Sequence, residues 1–475
     1  MGERRTYLKC ISIILVISIV FVLSSCSGKE EAFPSFDNPT TSTTNPISSS
    51  LSTDTVTGEL QELSVALPYT SSTIEYLAQL YYCKTNGLLS DTDSGMSVSL
   101  SYLSSIDLPF TITSVQTPDV GVSLDNVSQW IASGSTPDIF LTNDYNALIN
   151  SGYCQPMEDY LADSILLSGS NIYTDALFEC MRDSNLYGVP HYSSTMLIMG
   201  NNDFAPASGV MQYSCSYTDL LEYLGQIQSE QEILSNDSTI PIAYCEEMIP
   251  YLGQAFSLSS SSFMLRDEYA LDPNSAQTVA DSIISYIDSI YENGYTIYGG
   301  AENYDPVFSR DAALWIDSTT NLYTWSEYYP STLYFLQIPS AESETLSPPY
   351  LTIYPICLST SSDCADLAAN FAAFVSYDSD ALQLIYRLEH RVGFFPFIKD
   401  PDVWSLLGSD SVFGSVVSYI EFQMQDAIYS PNVMQNEMYN SVSSYISEYS
   451  SSAYSSVYGV NDTTFDLSEC LTLEG

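Results

Sequence analysis

The sequence predicts an α/β fold divided into two lobes, and three observations carry that expectation. The chain has 475 residues, beyond the ~250 to 300 at which a single hydrophobic core divides. Short buried-strand patterns alternate with stretches of helical spacing, which favours mostly parallel sheets flanked by helices. Hydrophobic residues make up 45% of the chain, enough to fill two cores and too many for acidic disorder.

The first element is not part of the folded body. Arg4, Arg5 and Lys9 precede an apolar run from Ile11 to Leu23, which ends at Leu23-Ser24-Ser25-Cys26. The run is shorter than the ~20 residues needed to cross a bilayer. Its charged start, apolar centre and small residues before a cysteine read as a lipoprotein signal peptide, residues 1–25, with Cys26 as the lipid-attachment site. Residues 26–57 are rich in Ser, Thr, Pro and Asn, a flexible linker with a reach of roughly 30 Å. The body is therefore expected at the cell membrane, lipid-anchored on its extracytoplasmic face.

Within that body a strand is expected at 63–67, followed by a helix carrying Ile74, Leu77, Ala78 and Leu80. A second strand is expected at 110–115. A helix with Leu124, Val127, Trp130 and Ile131 on one face follows, then a third strand at 139–142. In open sheets of this kind ligands sit beyond the carboxyl ends of the strands, so the 142–146 loop borders a site. Thr218 reads as the N-cap of a helix with Leu220, Leu224 and Ile227, and Asp363 as the cap of one with Leu367, Phe371 and Phe374. Val442, Tyr445, Ile446 and Tyr449 keep helical spacing near the end.

Cleavage before Cys26 removes three cations and one carboxylate, leaving 8 Lys and Arg against 57 Asp and Glu, a net charge of −49. Such a surface repels phosphate backbones and anionic headgroups, which excludes nucleic acid as a partner and leaves the lipid to hold the membrane. Eight cysteines besides Cys10 and Cys26 permit either disulfides or buried thiols, and none has zinc-site spacing. The sequence has no Gly-x-Ser-x-Gly, His-Glu-x-x-His or P-loop motif. No catalytic residue, metal or cofactor is assigned.

Several motifs, taken in order, resemble the maltose-binding-like family of extracellular solute-binding proteins, family 1. They are Ser133-Gly134-Ser135-Thr136-Pro137-Asp138, Gly152-Tyr153-Cys154-Gln155-Pro156, Leu186-Tyr187-Gly188-Val189-Pro190-His191, Asp311-Ala312-Ala313-Leu314-Trp315-Ile316-Asp317 and Gly393-Phe394-Phe395-Pro396. The resemblance implies a type II periplasmic-binding-protein-like fold whose lobes close about a hinge, with Pro190 stiffening the passage between them. Lobe 1 is expected to comprise 58–191 and 350–415, and lobe 2 to comprise 192–349 and 416–475. It further implies a monomer that delivers a small solute to the permease subunits of an ABC importer, without catalysis.

Asn143, Asp144 and Tyr145 follow a strand's carboxyl end, and Tyr192, Ser193 and Ser194 lie in the expected first crossing, so both groups are candidate ligand contacts together with Tyr304 and Asp317. Hydroxyls, amides and a carboxylate beside aromatic faces suit a neutral oligosaccharide. Capping accounts equally for Asn143 and Asp144. His191 reads as a hinge hydrogen-bonder. Many relatives place a stacking Trp just after the Ala-rich strand, where this chain has Ser318-Thr319-Thr320, while Trp315 inside the strand reads as core. A binder of cationic peptides or amines, and a surface sensor or adhesin of the same fold, are the alternatives; a secreted hydrolase ranks behind both.

Overall fold

The computed structural model describes residues 60–430, apart from 91, 163, 212–214, 235–237, 250, 253–272, 297–304, 341–349 and 392. The signal peptide, Cys26, the linker, Tyr304 and the helix expected near Val442 lie outside the described residues.

The chain opens as expected with β1 (Gln61–Leu67) and α1 (Ser71–Thr85). Ile74, Leu77, Ala78 and Leu80 of α1 are fully buried, and the Thr70 hydroxyl accepts from the Thr73 N–H to start the helix. β2 (Phe110–Gln116) lies parallel to β1 at the sheet edge, and β3 (Ile139–Leu141) lies parallel to β1 on its other side. Between them α2 (Leu124–Ser133) buries Val127, while Ile131 faces solvent at 38% exposure, so the inward stripe is narrower than its spacing suggests. Gly134 ends α2 at φ 67°, a left-handed conformation that glycine adopts without a Cβ penalty. Asp138 then accepts from the Ser64 N–H at 2.7 Å, the Ser64 hydroxyl at 2.8 Å and the Ser362 hydroxyl at 2.7 Å. This explains the Pro-Asp turn physically: its carboxylate fixes the entry to β3 against two other segments.

β4 (Gly188–Ser194) completes the first passage through this lobe. Pro190 sits inside it, opposite Pro355, where the register shifts. It does not form the crossing, because two facing prolines forgo donors at a bulge and keep the chain within the first sheet. The crossing falls at Thr195, since Ser194 pairs with Thr352 while Met196, the first residue of β5 (Met196–Asn201), pairs with Ser318.

The second lobe follows with α3 (Tyr217–Ile233), β6 (Ile240–Ala243), α4 (Pro273–Glu292), β7 (Ala312–Ser318), α5 (Leu322–Tyr328) and β8 (Leu333–Leu336). Ser216, not Thr218, caps α3. Its hydroxyl accepts from the Asp219 N–H at 3.1 Å while the Asp219 carboxylate accepts from the Ser216 N–H at 2.8 Å, a reciprocal box that Thr218 cannot make from inside the first turn. The sheet runs β8-β5-β7-β6, antiparallel at β8–β5 and β5–β7 and parallel at β7–β6. Leu224, Ile227, Ile283, Ile287 and Leu314 are among the residues of its core.

The chain returns through β9 (Tyr350–Leu358), whose Tyr350 packs in the second core and Leu351 in the first. β9 pairs antiparallel with β3 and β4. Then come α6 (Ala365–Tyr377), α7 (Ser379–Glu389), α8 (Pro401–Gly408), α9 (Gly414–Gln423) and β10 (Ile428–Ser430). α6 begins one residue later than an Asp363 cap would set, with Cys364 at the N-cap position. Residues 416–430 belong to the first lobe rather than the second: Val416, Val417 and Ile420 join its core and β10 pairs with β9. The result is two α/β lobes linked at Thr195 and Tyr350.

Candidate functional site

The linkage itself is tightly built. Thr195 and Thr319 exchange contacts across the crossing, the Thr319 N–H donating to the Thr195 carbonyl at 2.8 Å and the Thr195 N–H to the Thr319 hydroxyl at 3.1 Å. Gly393 lies against the same turn at φ +86°, and a Cβ there would stand 1.9 Å from the Thr319 carbonyl oxygen. Arg391, two residues earlier, pairs with Asp119 at 2.9 Å and donates to the Pro68 carbonyl at 2.9 Å. Its guanidinium also lies over the rings of Tyr69, Tyr192 and Phe394.

His191 is fully enclosed beside this cluster, with Nε2 against the Tyr69 hydroxyl and Nδ1 3.1 Å from the Ser376 hydroxyl. Burial, reinforced by Arg391, pushes its pKa down to about 3, so the ring is neutral. Both of its partners belong to the first lobe, so His191 bonds within that lobe and not across the crossing at Thr195.

The sequence candidates divide between this hinge and the second lobe. Tyr145 is 1% exposed and its hydroxyl donates to the Cys180 carbonyl. Asp144 accepts from the Leu124 N–H at 2.8 Å, closing the start of α2. Asn143 is half-buried with its Oδ1 lacking a hydrogen-bond partner among the described residues. Tyr192 donates to the Asp119 carbonyl, Ser193 to the Phe395 carbonyl at 3.2 Å, and the Ser194 hydroxyl lies 3.0 Å from that of Tyr354. Asp317 stands apart from these, at the end of β7.

Asp317 lines an open cavity of about 480 Å³ on the second lobe, beside the crossing residue Met196. Its carboxylate accepts from the Trp325 indole N–H at 2.6 Å, from the Asn321 amide at 2.9 Å and from the Ser318 N–H at 2.6 Å. Trp325 comes from α5, which packs under the strand and turns its indole to the same wall. Trp325 is itself buried at 4% exposure, packed in one core cluster with the fully buried Trp315. The open aromatic surface of the cavity therefore comes from Phe308 and Tyr244, with Trp325 behind them, and not from 318–320.

Phe308 stands with its ring centroid 5.0 Å from that of Trp325 and is 48% exposed. Opposite them is Tyr244, held in the left-handed region at φ 57° immediately after β6. A bulky non-glycine residue is costly there, and such strain clusters at ligand sites. Its hydroxyl donates to Asp305 at 2.6 Å. Burial, then the Asp305 carboxylate and Asp317, raise the Tyr244 pKa, so it remains protonated.

Glu247 completes the lining. Its pKa is raised, first by desolvation and then by Glu246 and Asp317. No Lys or Arg occurs among the described residues that line this cavity. Tyr244, Glu247, Phe308 and Trp325 were all missed by sequence reasoning. The available signal was the strand end at Asp317 followed by an indole one helical turn past Asn321.

Two α/β lobes joined at a narrow crossing, with a polar and aromatic cavity beside it, are the architecture of a solute-binding protein. The chain belongs to the bacterial extracellular solute-binding protein family, whose model matches residues 107–405. This is a family of substrate-binding proteins, not enzymes. The fold is similar to an ABC substrate-binding protein of Listeria monocytogenes in complex with cycloalternan, at 11% identity and TM-score 0.57, covering 85% of this chain and 100% of that one. A sugar transporter protein from Rhizobium etli in an open conformation gives 13% identity and TM-score 0.58, with coverage of 84% and 100%. The sugar-binding protein MalE of Xanthomonas citri gives 13% and 0.57, again with coverage of 84% and 100%. A sequence comparison with curated proteins finds no match. No helix among the described residues is long and apolar enough to cross a membrane.

Proposed function

We propose that this protein is a lipid-anchored extracellular receptor that captures an oligosaccharide, in the simplest case a neutral one, and delivers it to an ABC importer. The observation that carries the reading is the aromatic surface of Phe308 and Tyr244, backed by the buried Trp325, on an open cavity beside the crossing residue Met196. Aromatic faces exclude water from the apolar face of a pyranose while neighbouring polar groups take its hydroxyls. Asn321 and Thr324 lie on the same lining. The relatives in complex with cycloalternan and with maltotetraose support the class of ligand. Of the residues singled out in the sequence, Asp317 is the contact this reading keeps within the cavity. Asn143 and Asp144 remain candidates from the loop beyond β3, Tyr145, Tyr192, Ser193 and Ser194 are buried with their hydroxyls bonded inside the first lobe, and Tyr304 remains a candidate outside the described residues. The lipobox at Leu23–Cys26 supports attachment to the outer face of the cell membrane.

A second reading, a receptor for a cationic amine or basic peptide, is favoured by one observation: Glu247 and Asp317 face the cavity with no Lys or Arg on its described lining. A thermal-shift screen of the mature chain against linear and cyclic glucose oligomers, polyamines and basic peptides separates the two. A ligand that binds only the folded state raises the melting temperature with concentration. Shifts with sugars, insensitive to salt, are expected; shifts with cations alone, weakening between low salt and about 0.15 M, would replace the first reading by the second.

A further inference from the structure

The aromatic surface of the cavity does not stop at its rim. Asn321 and Thr324 stand on the lining, and Tyr328 follows them at the seventh and fourth positions, a spacing that puts side chains on one face of a helix. The cavity face of α5 therefore continues one turn further, to Tyr328 at its last residue. A second route leads to the same place. Phe308 lines the cavity, and its ring centroid lies 5.1 Å from that of Tyr328, with the planes at 80°. Both rings remain open to solvent, Phe308 at 48% and Tyr328 at 39% exposure.

The pair is held by the backbone on either side of it. Arg310 has φ 62° and reaches across to the end of α5, where its guanidinium donates to the Tyr328 carbonyl at 2.7 Å. That carbonyl belongs to the last turn of the helix, which has no partner within the helix itself. The bond thus fastens the segment of Phe308 to the residue whose ring it meets.

Size decides what such a patch suits. An aromatic side chain buries about 150 to 250 Å² when fully covered, so two rings exposed by less than half offer on the order of 200 Å². A protein partner needs about 800 Å² on each side. The patch is about a quarter of that, and it is continuous with a cavity already read as a sugar site.

Resting on the oligosaccharide reading, we infer that Phe308 and Tyr328 form an outer subsite, where a further ring of a linear oligosaccharide packs while its inner rings occupy the cavity beside Asp317. The receptor thereby reads chain length. From Asn321 to Tyr328 the helix advances about 10 Å at 1.5 Å per residue, and an oligomer too short to cover that distance forgoes the outer contact. Tyr328 is the residue that determines this preference, and Phe308 serves both the cavity and the outer subsite.

Calorimetry on the mature chain tests this with linear oligomers of glucose, xylose and mannose, each series running from two to six units. In the series that binds, affinity is expected to rise with length and then level off, the last effective unit contributing roughly tenfold. Tyr328→Ala should remove that last increment while leaving the shortest oligomer within about twofold, which also shows that the variant is folded. Tyr328→Phe keeps the ring and should keep the increment. Affinity independent of length in the wild type overturns the outer subsite and leaves the oligosaccharide reading standing. An equal loss for short and long oligomers in Tyr328→Ala overturns it as well, because Tyr328 would then act by positioning Phe308 in the cavity. Loss of the increment in Tyr328→Phe overturns packing as its source. If no oligomer of any series binds, the oligosaccharide reading fails and the inference with it.

Discussion

The indole N–H of Trp325 donates to the Asp317 carboxylate at 2.6 Å, and this one bond ties the last residues of β7 to the helix that follows. Asp317 thereby sets the angle of the aromatic wall while its other oxygen holds Asn321 and the Ser318 backbone. Trp325 is 4% exposed and packs against the open ring of Phe308, so binding of a sugar beside it is expected to change its fluorescence, and Trp325→Phe should remove that change and weaken binding by about 1 kcal/mol through the lost bond to Asp317. Trp404 is packed in the first lobe, its N–H donating to the Ile398 carbonyl at 2.7 Å. Ligand titrations of Trp404→Phe should therefore retain the signal, and a signal lost there but kept in Trp325→Phe would move the platform elsewhere.

Anchoring gives an independent prediction. Because the thiol of Cys26 is the group that can be acylated at the end of Leu23-Ser24-Ser25, Cys26→Ala should leave the protein unprocessed or release it from the membrane. Fractionation of cells followed by intact-mass measurement checks this. Full-strength membrane retention of a processed Cys26→Ala chain would mean that something other than the lipid holds it.

How much of this was legible in the sequence depended on whether the signal was local. The α1 stripe of Ile74, Leu77 and Ala78, the Pro137-Asp138 turn and the β7 segment are each specified by nearby residues, and each formed where expected. The lobe boundary did not, because β10 joins β9 through a parallel ladder that pairs Tyr350 with Ile428 and no local pattern in 416–430 names its partner. The Pro190 crossing failed for a related reason: the partner proline that keeps it within the first sheet lies at 355. In the site, Asp317 was legible as a strand end, whereas Glu247 and Tyr244 sit in a tight turn whose orientation comes from φ 57° at Tyr244, a conformation that propensity argues against.

Asp288 makes a stability prediction with a definite sign. It lies on α4, where partial burial and then Glu292 raise its pKa from 3.8 to about 6. An acid whose folded-state value is raised binds its proton more tightly when folded, so its contribution to stability is full below pH ~4 and is lost as pH rises through about 6. Asp288→Asn removes the penalty of ionising there. The variant should melt above the wild type at about pH 8, and the gap should close by about pH 4 in paired thermal melts. A gap that is constant across that range would show that neutralising Asp288 acts through packing and not through its proton.

The hinge supplies the last prediction, because Gly393 is constrained twice. Its φ of +86° lies where side chains are strained, and a Cβ would meet the Thr319 carbonyl oxygen at 1.9 Å, far inside contact distance. That carbonyl belongs to the turn that also carries the Thr195–Thr319 exchange at the crossing. Gly393→Ala therefore cannot be relieved by moving a flexible side-chain tip; backbone on one side must shift. Gly134 separates the two causes, since it has φ +67° and an added methyl group would meet nothing within 4 Å. Gly134→Ala should cost about 1 kcal/mol, the strain alone, and leave ligand affinity unchanged. Gly393→Ala should cost about 1 to 3 kcal/mol more and, by displacing the 319 turn, weaken ligand binding as well. Chemical denaturation and calorimetry on the two variants measure both quantities. Equal losses of stability with intact binding in both would show that the lobes meet without help from the close approach of Gly393 to Thr319.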